Sequence, residues 1–242
     1  MVDVPFAALV YANLALVLAT AVHASTGLGF GLIAVPLLAV ISIHLVPGAA
    51  LLVSLVLMCG ILLNEWRHVR FAEVKWLVPS VLAGTALAIG ILRASPGADL
   101  RLICAAAIAV SIVLSFVSAP IPRGPAQLSA SGIGVGLMGT LVGMHGPPLA
   151  VLYQNEPVKN TRSTLAAVFL FGGLMSLAGL VTAGSFGWYD AFFALCLLPG
   201  VVFGYMISRS LMWTLPVSAT KPLMLTCAAV SAGVLLFQSL GA

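Results

Sequence analysis

The chain has 242 residues, of which 62% are hydrophobic and 7% charged, with a mean hydropathy of +1.19. Ten basic and six acidic side chains cannot cover a soluble domain of this size, so a water-facing globule is excluded and a multi-pass membrane protein is indicated. The net charge of +4 is spread over short loops instead of forming one patch, which excludes a nucleic-acid surface.

Crossing about 30 Å of hydrocarbon takes roughly 20 apolar residues per helix. The first apolar run, 4–22, has Asp3 and no Lys or Arg before it, so it is expected to be a permanent segment and not a cleaved signal. The next runs are 27–43, 46–64, 74–92 and 100–119, followed by 126–143, 146–155, 164–183, 188–208 and 217–240. All are expected to be helical, because lipid offers backbone groups no other partners. The mixed-charge stretch NEWRHVRFAEVKW, Asn64 to Trp76, predicts an interfacial belt anchored by Trp66 and Trp76. Cys59, Cys104, Cys196 and Cys227 lie in apolar surroundings without CxxC spacing, which predicts small buried hydrophobes and neither disulfides nor metal ligands. No cofactor is expected.

The ten segments divide into two fives, residues 1–122 and 123–242, that resemble each other. LVPSVLAGTAL from Leu77 matches LLPGVVFGYMI from Leu197, with Pro79 over Pro199 and Gly84 over Gly204; Cys104 falls over Cys227 and Gly27 opposite Gly143. With an odd number of crossings per half, eight basic residues share one side: Arg67, Arg70, Lys75, Arg123, Lys159, Arg162, Arg209 and Lys221. Only Arg93 and Arg101 lie on the other. Positive-inside bias therefore favours halves of opposite orientation, an all-α bundle of two inverted repeats, each crossing five times, or three with a re-entrant hairpin.

STGLGFGLIAVPLL, Ser25 to Leu38, and GTLVGMHGPPL, Gly139 to Leu149, each interrupt an apolar run with glycine and polar residues. A broken helix at membrane depth leaves N–H groups that cost several kcal/mol each unless something polar satisfies them. The new helices starting near Gly29 and Gly146 are expected to aim positive dipole ends into the gap, with Pro147 and Pro148 in a first turn, an arrangement suited to an anion. Gly27, Gly29, Gly31, Gly143 and Gly146 would let an oxyanion approach the backbone, and Ser25, Thr26 and Thr140 would add hydroxyl donors. Gly132, Gly134 and Gly136 are expected to serve close helix packing. His145 within the second break and His23 just before the first are ionisable groups in apolar sequence, and both are candidates for substrate contact and proton coupling. His44 and His68 fall near segment ends, where solvent accounts for them. Gln154, Asn160 and Arg162 follow the second motif closely enough to line a pathway. Asp and Glu are absent from the apolar segments apart from Asp99 and Asp190 near their ends, so catalysis is not expected.

GLGFGLIAVPLL, the loop RHVRF with the following LVPSVLAGTAL, and VGMHGPPLAVLY together resemble the sulfite exporter TauE/SafE family of anion permeases, over essentially the whole chain. The resemblance implies about eight helices in two repeats and movement of sulfite, sulfonates or related small organic anions across the cell inner membrane. His145 stands where that family commonly has another glycine. Residues and resemblance together predict a permease for a sulfite, sulfonate or sulfocarboxylate anion, working by alternating access with a candidate proton coupling. An anion channel, or a permease for a non-sulfur carboxylate, is the alternative. The expected partners are the small anion and membrane lipid, and the protein is a monomer or homodimer.

Overall fold

The computed structural model describes residues 4–94, 99–116, 121–153, 158–211 and 217–240. Among these residues the chain is all-helical: α1 Phe6–Thr26, α2 Phe30–Ile41, α3 Gly48–Glu65, α4 Phe71–Ala94 and α5 Leu100–Ser115, then α6 Pro125–Val142, α7 Pro147–Tyr153, α8 Val158–Thr182, α9 Trp188–Leu211 and α10 Val217–Leu240. Short 3-10 turns lie at Ile43–Leu45 and Trp66–His68. Five helical stretches are long and apolar enough to cross a membrane, Phe6–Thr26, Gly48–His68, Phe71–Ala94, Asn160–Thr182 and Trp188–Ser208. Each of the ten sequence segments thus corresponds to one helix.

The two shortest helices, α2 and α7, are those that follow the predicted breaks. Gly27 ends α1 in the left-handed region at φ +78° and Gly143 ends α6 at φ +80°, a conformation in which a Cβ would crowd the following carbonyl. At α6 the Gly143 N–H reaches back to Gly139 O at 2.9 Å, the closing bond of an αL cap, and the Met144 N–H lies 3.3 Å from Met138 O. Gly29, at φ +107°, then turns the chain into α2.

Apolar side chains lie both inside and outside. Leu16, Ile33, Leu57, Val81 and Leu165 are buried, while Phe6, Leu63, Phe116, Trp188, Leu195 and Phe237 are exposed, the distribution of a bundle whose outer solvent is lipid. Association cannot then rest on hydrophobicity alone, and small residues bring backbones together. On α4 and α6, Gly84 lies against the Ile133 backbone, Gly132 against Leu77 and Ser80, and Gly136 against Val81 and Thr85. On α1 and α9, Gly204 lies against Val17 and Thr20, and Gly200 against Asn13, which accepts the Gly200 N–H at 2.8 Å. Gly134 packs on Pro148, so Gly132, Gly134 and Gly136 all act in packing as expected. Further pairings run α2 with α10, α5 with α7, and α3 with α8.

The cysteines depart from expectation. Cys104 is buried, but Cys59 is exposed on α3, and Cys196 and Cys227 are half-buried; all four are free thiols. Their apolar neighbours in sequence are shared between the core and the lipid-facing surface, and hydropathy does not separate the two.

One end of the bundle gathers Glu65, Arg70, Glu73, Arg123, Tyr153 and Arg162 through mutual contacts. The opposite end gathers the α3 and α9 starts, the α8 end, and Asp99 and Asp190. Asp99 accepts the Arg101 N–H at 2.9 Å and Asp190 the Gly187 N–H at 2.8 Å, so both carboxylates sit at helix ends as expected. At this second end Arg93 donates to Thr182 O at 3.1 Å, and a cavity of about 720 Å³ reaches down to Pro47 and Leu141.

Candidate functional site

The two breaks meet. A Cβ on Gly31, in the first turn of α2, would lie 3.3 Å from Met144 Cα, and Gly143 is 3.6–3.8 Å, by the same measure, from Val35 of α2 and Ala50 of α3. Met224 of α10 covers Gly29, with its Sδ 3.0 Å from the Cβ position.

His23 and His145 face this junction from opposite sides of the chain. Both are buried, at 2% and 6% exposure, and their rings lie 6.3 and 6.0 Å from the ring of Phe169 on α8. The His145 ring fills a slot made by glycines: a side chain on Gly139 would occupy the ring's own space, and a Cβ on Gly172 would lie 3.3 Å from Cδ2. Gly173 lies beside it. The His23 ring stands edge-on to Phe30 at 6.3 Å, and its Nδ1 accepts the Phe30 N–H at 3.4 Å.

That bond assigns the tautomer. A neutral imidazole whose Nδ1 accepts carries its proton on Nε2. Among the described residues, His23 Nε2 is buried with no hydrogen-bond partner, and so is His145 Nε2. For His23 that leaves a buried donor without an acceptor, which costs about 1–3 kcal/mol, so an oxygen atom is its natural complement. Thr20, one turn before His23 on α1, is fully buried and its hydroxyl likewise has no partner among the described residues.

Other expected donors are engaged elsewhere. Ser25 Oγ donates to Ala21 O at 2.8 Å, and Thr26 Oγ1 lies 2.9 Å from Val22 O and 2.7 Å from Leu28 O. Thr26 also accepts the Leu28 N–H at 3.2 Å, so it closes the first break. Thr140 Oγ1 pairs with Ser176 Oγ at 2.8 Å and reaches Thr85 Oγ1 at 3.4 Å. These short side chains satisfy backbone and neighbours that the break would otherwise leave bare.

The amides at the start of α7 also differ from expectation. Pro147 and Pro148 have no N–H, and the Leu149 and Ala150 N–H groups go to Gly146 O at 3.1 and 3.0 Å. With only seven residues, α7 has no appreciable dipole to offer, which leaves the His145 imidazole as the polar side chain at this break. Gly146 is uncrowded, with none of the described residues within 4 Å of a Cβ position.

Of the pathway residues, Gln154 lies outside the described residues. The Asn160 carbonyl accepts from Ser163 Oγ at 3.2 Å. Arg162 is held inward: its guanidinium contacts both Glu65 oxygens and the Ala24 carbonyl, and its Cα comes 2.7 Å from a Cβ position on Gly27. Reasoning from sequence missed Glu65, Glu73, Thr20, Phe169 and the Gly172–Gly173 pair. The double glycine in an otherwise bulky run was the one signal available for the last.

A family model described as sulfite exporter TauE/SafE matches residues 12–235. The chain belongs to the sulfite exporter TauE/SafE family. Both breaks, both histidines and all ten helices, in whole or in part, fall within the matched region, so this TauE/SafE member is a membrane transport protein in its central architecture and not only in composition. No curated protein and no solved structure matches the chain.

Proposed function

We propose that this protein is a permease for a small sulfur oxyanion, held at mid-membrane where the two breaks touch. The observation that carries the reading is the pair of buried imidazoles, His23 and His145, each with an unpartnered Nε2 beside Phe169. His23 Nε2–H donates to one oxygen of the anion and His145 to another, while the first turn of α2 directs its amides and dipole toward the negative charge. Phe169 and Met224 shut out lipid and water, which strengthens each contact. Ser25, Thr26 and Thr140 keep the surrounding backbone in place and do not touch the guest.

The halves, 1–122 and 123–242, act as inverted repeats. Helix exchange supports this: α1 packs on α9 as α6 packs on α4, α2 on α10 as α7 on α5, and α3 on α8 lies across the centre. The register agrees residue by residue, since Gly84 lies on Ile133 and Gly204 on Val17, and Ile133 and Val17 each stand ten residues before a left-handed glycine. Such a twofold arrangement has two gates around one site, the requirement of alternating access. Imidazoles that contact the anion can also take up a proton, so export or uptake would be coupled to pH.

Flux of sulfite in proteoliposomes tests the site. A hydrogen bond to a charged group contributes about 1.5–3 kcal/mol, so His23→Phe and His145→Phe are each expected to lower the flux at half-saturating sulfite about tenfold. An unchanged flux in both variants would refute the site, and flux indifferent to an imposed pH gradient would refute the coupling. A channel would give single-channel currents in place of slow, saturable flux.

A further inference from the structure

The breaks are fastened at one end of the bundle by two carboxylates, Glu65 at the close of α3 and Glu73 in the first turn of α4. Arg162 Nε donates to Glu65 Oε2 at 2.9 Å and Nη2 to Oε1, while Nη1 donates to the carbonyl of Ala24, in the last turn of α1. Glu73 Oε1 accepts from Arg123 at 3.0 Å and from Arg70 at 3.4 Å. Its Oε2 accepts from the hydroxyl of Tyr153, the last residue of α7, and the Arg123 guanidinium lies 5.5 Å above the Tyr153 ring. Each cluster therefore ties the helix beside one break to the other half of the chain. The glutamate and Arg162 side chains are only 15–16% exposed, so these pairs are partly desolvated and unlike loose surface pairs. At the opposite end the wall opens instead into the cavity of about 720 Å³ that descends to Leu141, two residues before Gly143.

We infer that the Glu65–Arg162–Ala24 and Glu73–Arg123–Tyr153 clusters are the two latches of a gate at the basic end, closed in this conformation while the opposite end holds the cavity. Opening requires both carboxylates to release, because each holds a different break. The inference rests on the transporter reading, but its test needs no substrate and so can fail or succeed independently of it.

The test uses the full chain in proteoliposomes, with the four native cysteines replaced and one reporter introduced at a time, labelled by a membrane-impermeant charged thiol reagent applied from either face. Ser25→Cys, next to the latched Ala24 carbonyl, is expected to react slowly from the basic face. Glu65→Gln with Glu73→Gln should raise that rate at least tenfold and slow Leu141→Cys from the opposite face. The exchange Glu65→Arg with Arg162→Glu, which keeps both charges, should restore slow labelling of Ser25→Cys relative to Glu65→Gln alone. Two results would overturn the gate: Ser25→Cys labelling that is unchanged by loss of both glutamates in protein of unaltered helical circular dichroism, or an exchange variant, equally helical, that labels as fast as Glu65→Gln. Should the double glutamine variant lose its helicity, the exchange variant alone decides.

Discussion

His23 carries the clearest chemical instruction in the molecule, because its Nδ1 is occupied by the Phe30 N–H and its buried Nε2 has no acceptor among the described residues. An anion bound only by the folded state at a hundred times its Kd would stabilise the protein by about 2.7 kcal/mol. That stabilisation, read as a sulfite-dependent rise in unfolding temperature, is expected to vanish in His145→Gly, which removes the ring proposed to contact the anion from the second side. Both histidines were legible in the sequence as ionisable groups in apolar runs. The tautomer of His23 was not, because it depends on the turn at Gly27–Gly29 that brings Phe30 back over the ring. Ser25, Thr26 and Thr140 show the reverse: the residue type allowed a ligand role, and local hydrogen bonding took the hydroxyls first. Glycine roles also separate at this scale. Gly27→Ala should cost about 1–2 kcal/mol for the left-handed backbone alone, and more from contact with Arg162, whereas Gly146→Ala, at an ordinary φ with open space around it, should stay within about 0.5 kcal/mol. Thermal unfolding in detergent distinguishes the two.

Among the helices, stability rests on two crossings, α4 with α6 and α1 with α9, built on the same plan. Overpacking a tight contact costs about 1–3 kcal/mol, so Gly84→Leu and Gly204→Leu should destabilise by similar amounts, while Gly90→Leu, which meets nothing within 4 Å, should cost little. Unequal losses, with one crossing tolerant, would argue against a shared plan. The sequence showed these elements because Pro79 and Gly84 recur as Pro199 and Gly204 at the same spacing. It misplaced the start of α8, expected at 164 and found at Val158, since Arg162 reads as a charge bound for solvent when Glu65 is not known to be beside it. It also credited α7 with an anion-binding end, although two prolines and the Gly146 carbonyl leave that end with few amides to give. Distant partners are the missing information in both cases.

For the molecule as a whole, hydropathy marked the ten helical segments, but inward turning of Glu65 and Glu73 depended on tertiary contacts no local pattern encodes. The basic end should face the cytoplasm. Epitope tags inserted at Arg67 and at Ser185 are expected to be accessible from opposite sides of sealed vesicles, and exposure of both on one face would contradict the inverted arrangement. The central claim is that an oxyanion accepts from two imidazoles at the junction of the breaks, and a chain with four histidines allows that to be read at the atom. In protein labelled with 15N-histidine, titration with sulfite should shift the Nε2 resonances of His23 and His145, assigned by their loss in His23→Phe and His145→Phe, and leave His44 and His68 in place. A saturable sulfite response confined to His44 or His68, or saturation of transport with no change at His23 and His145, would contradict it.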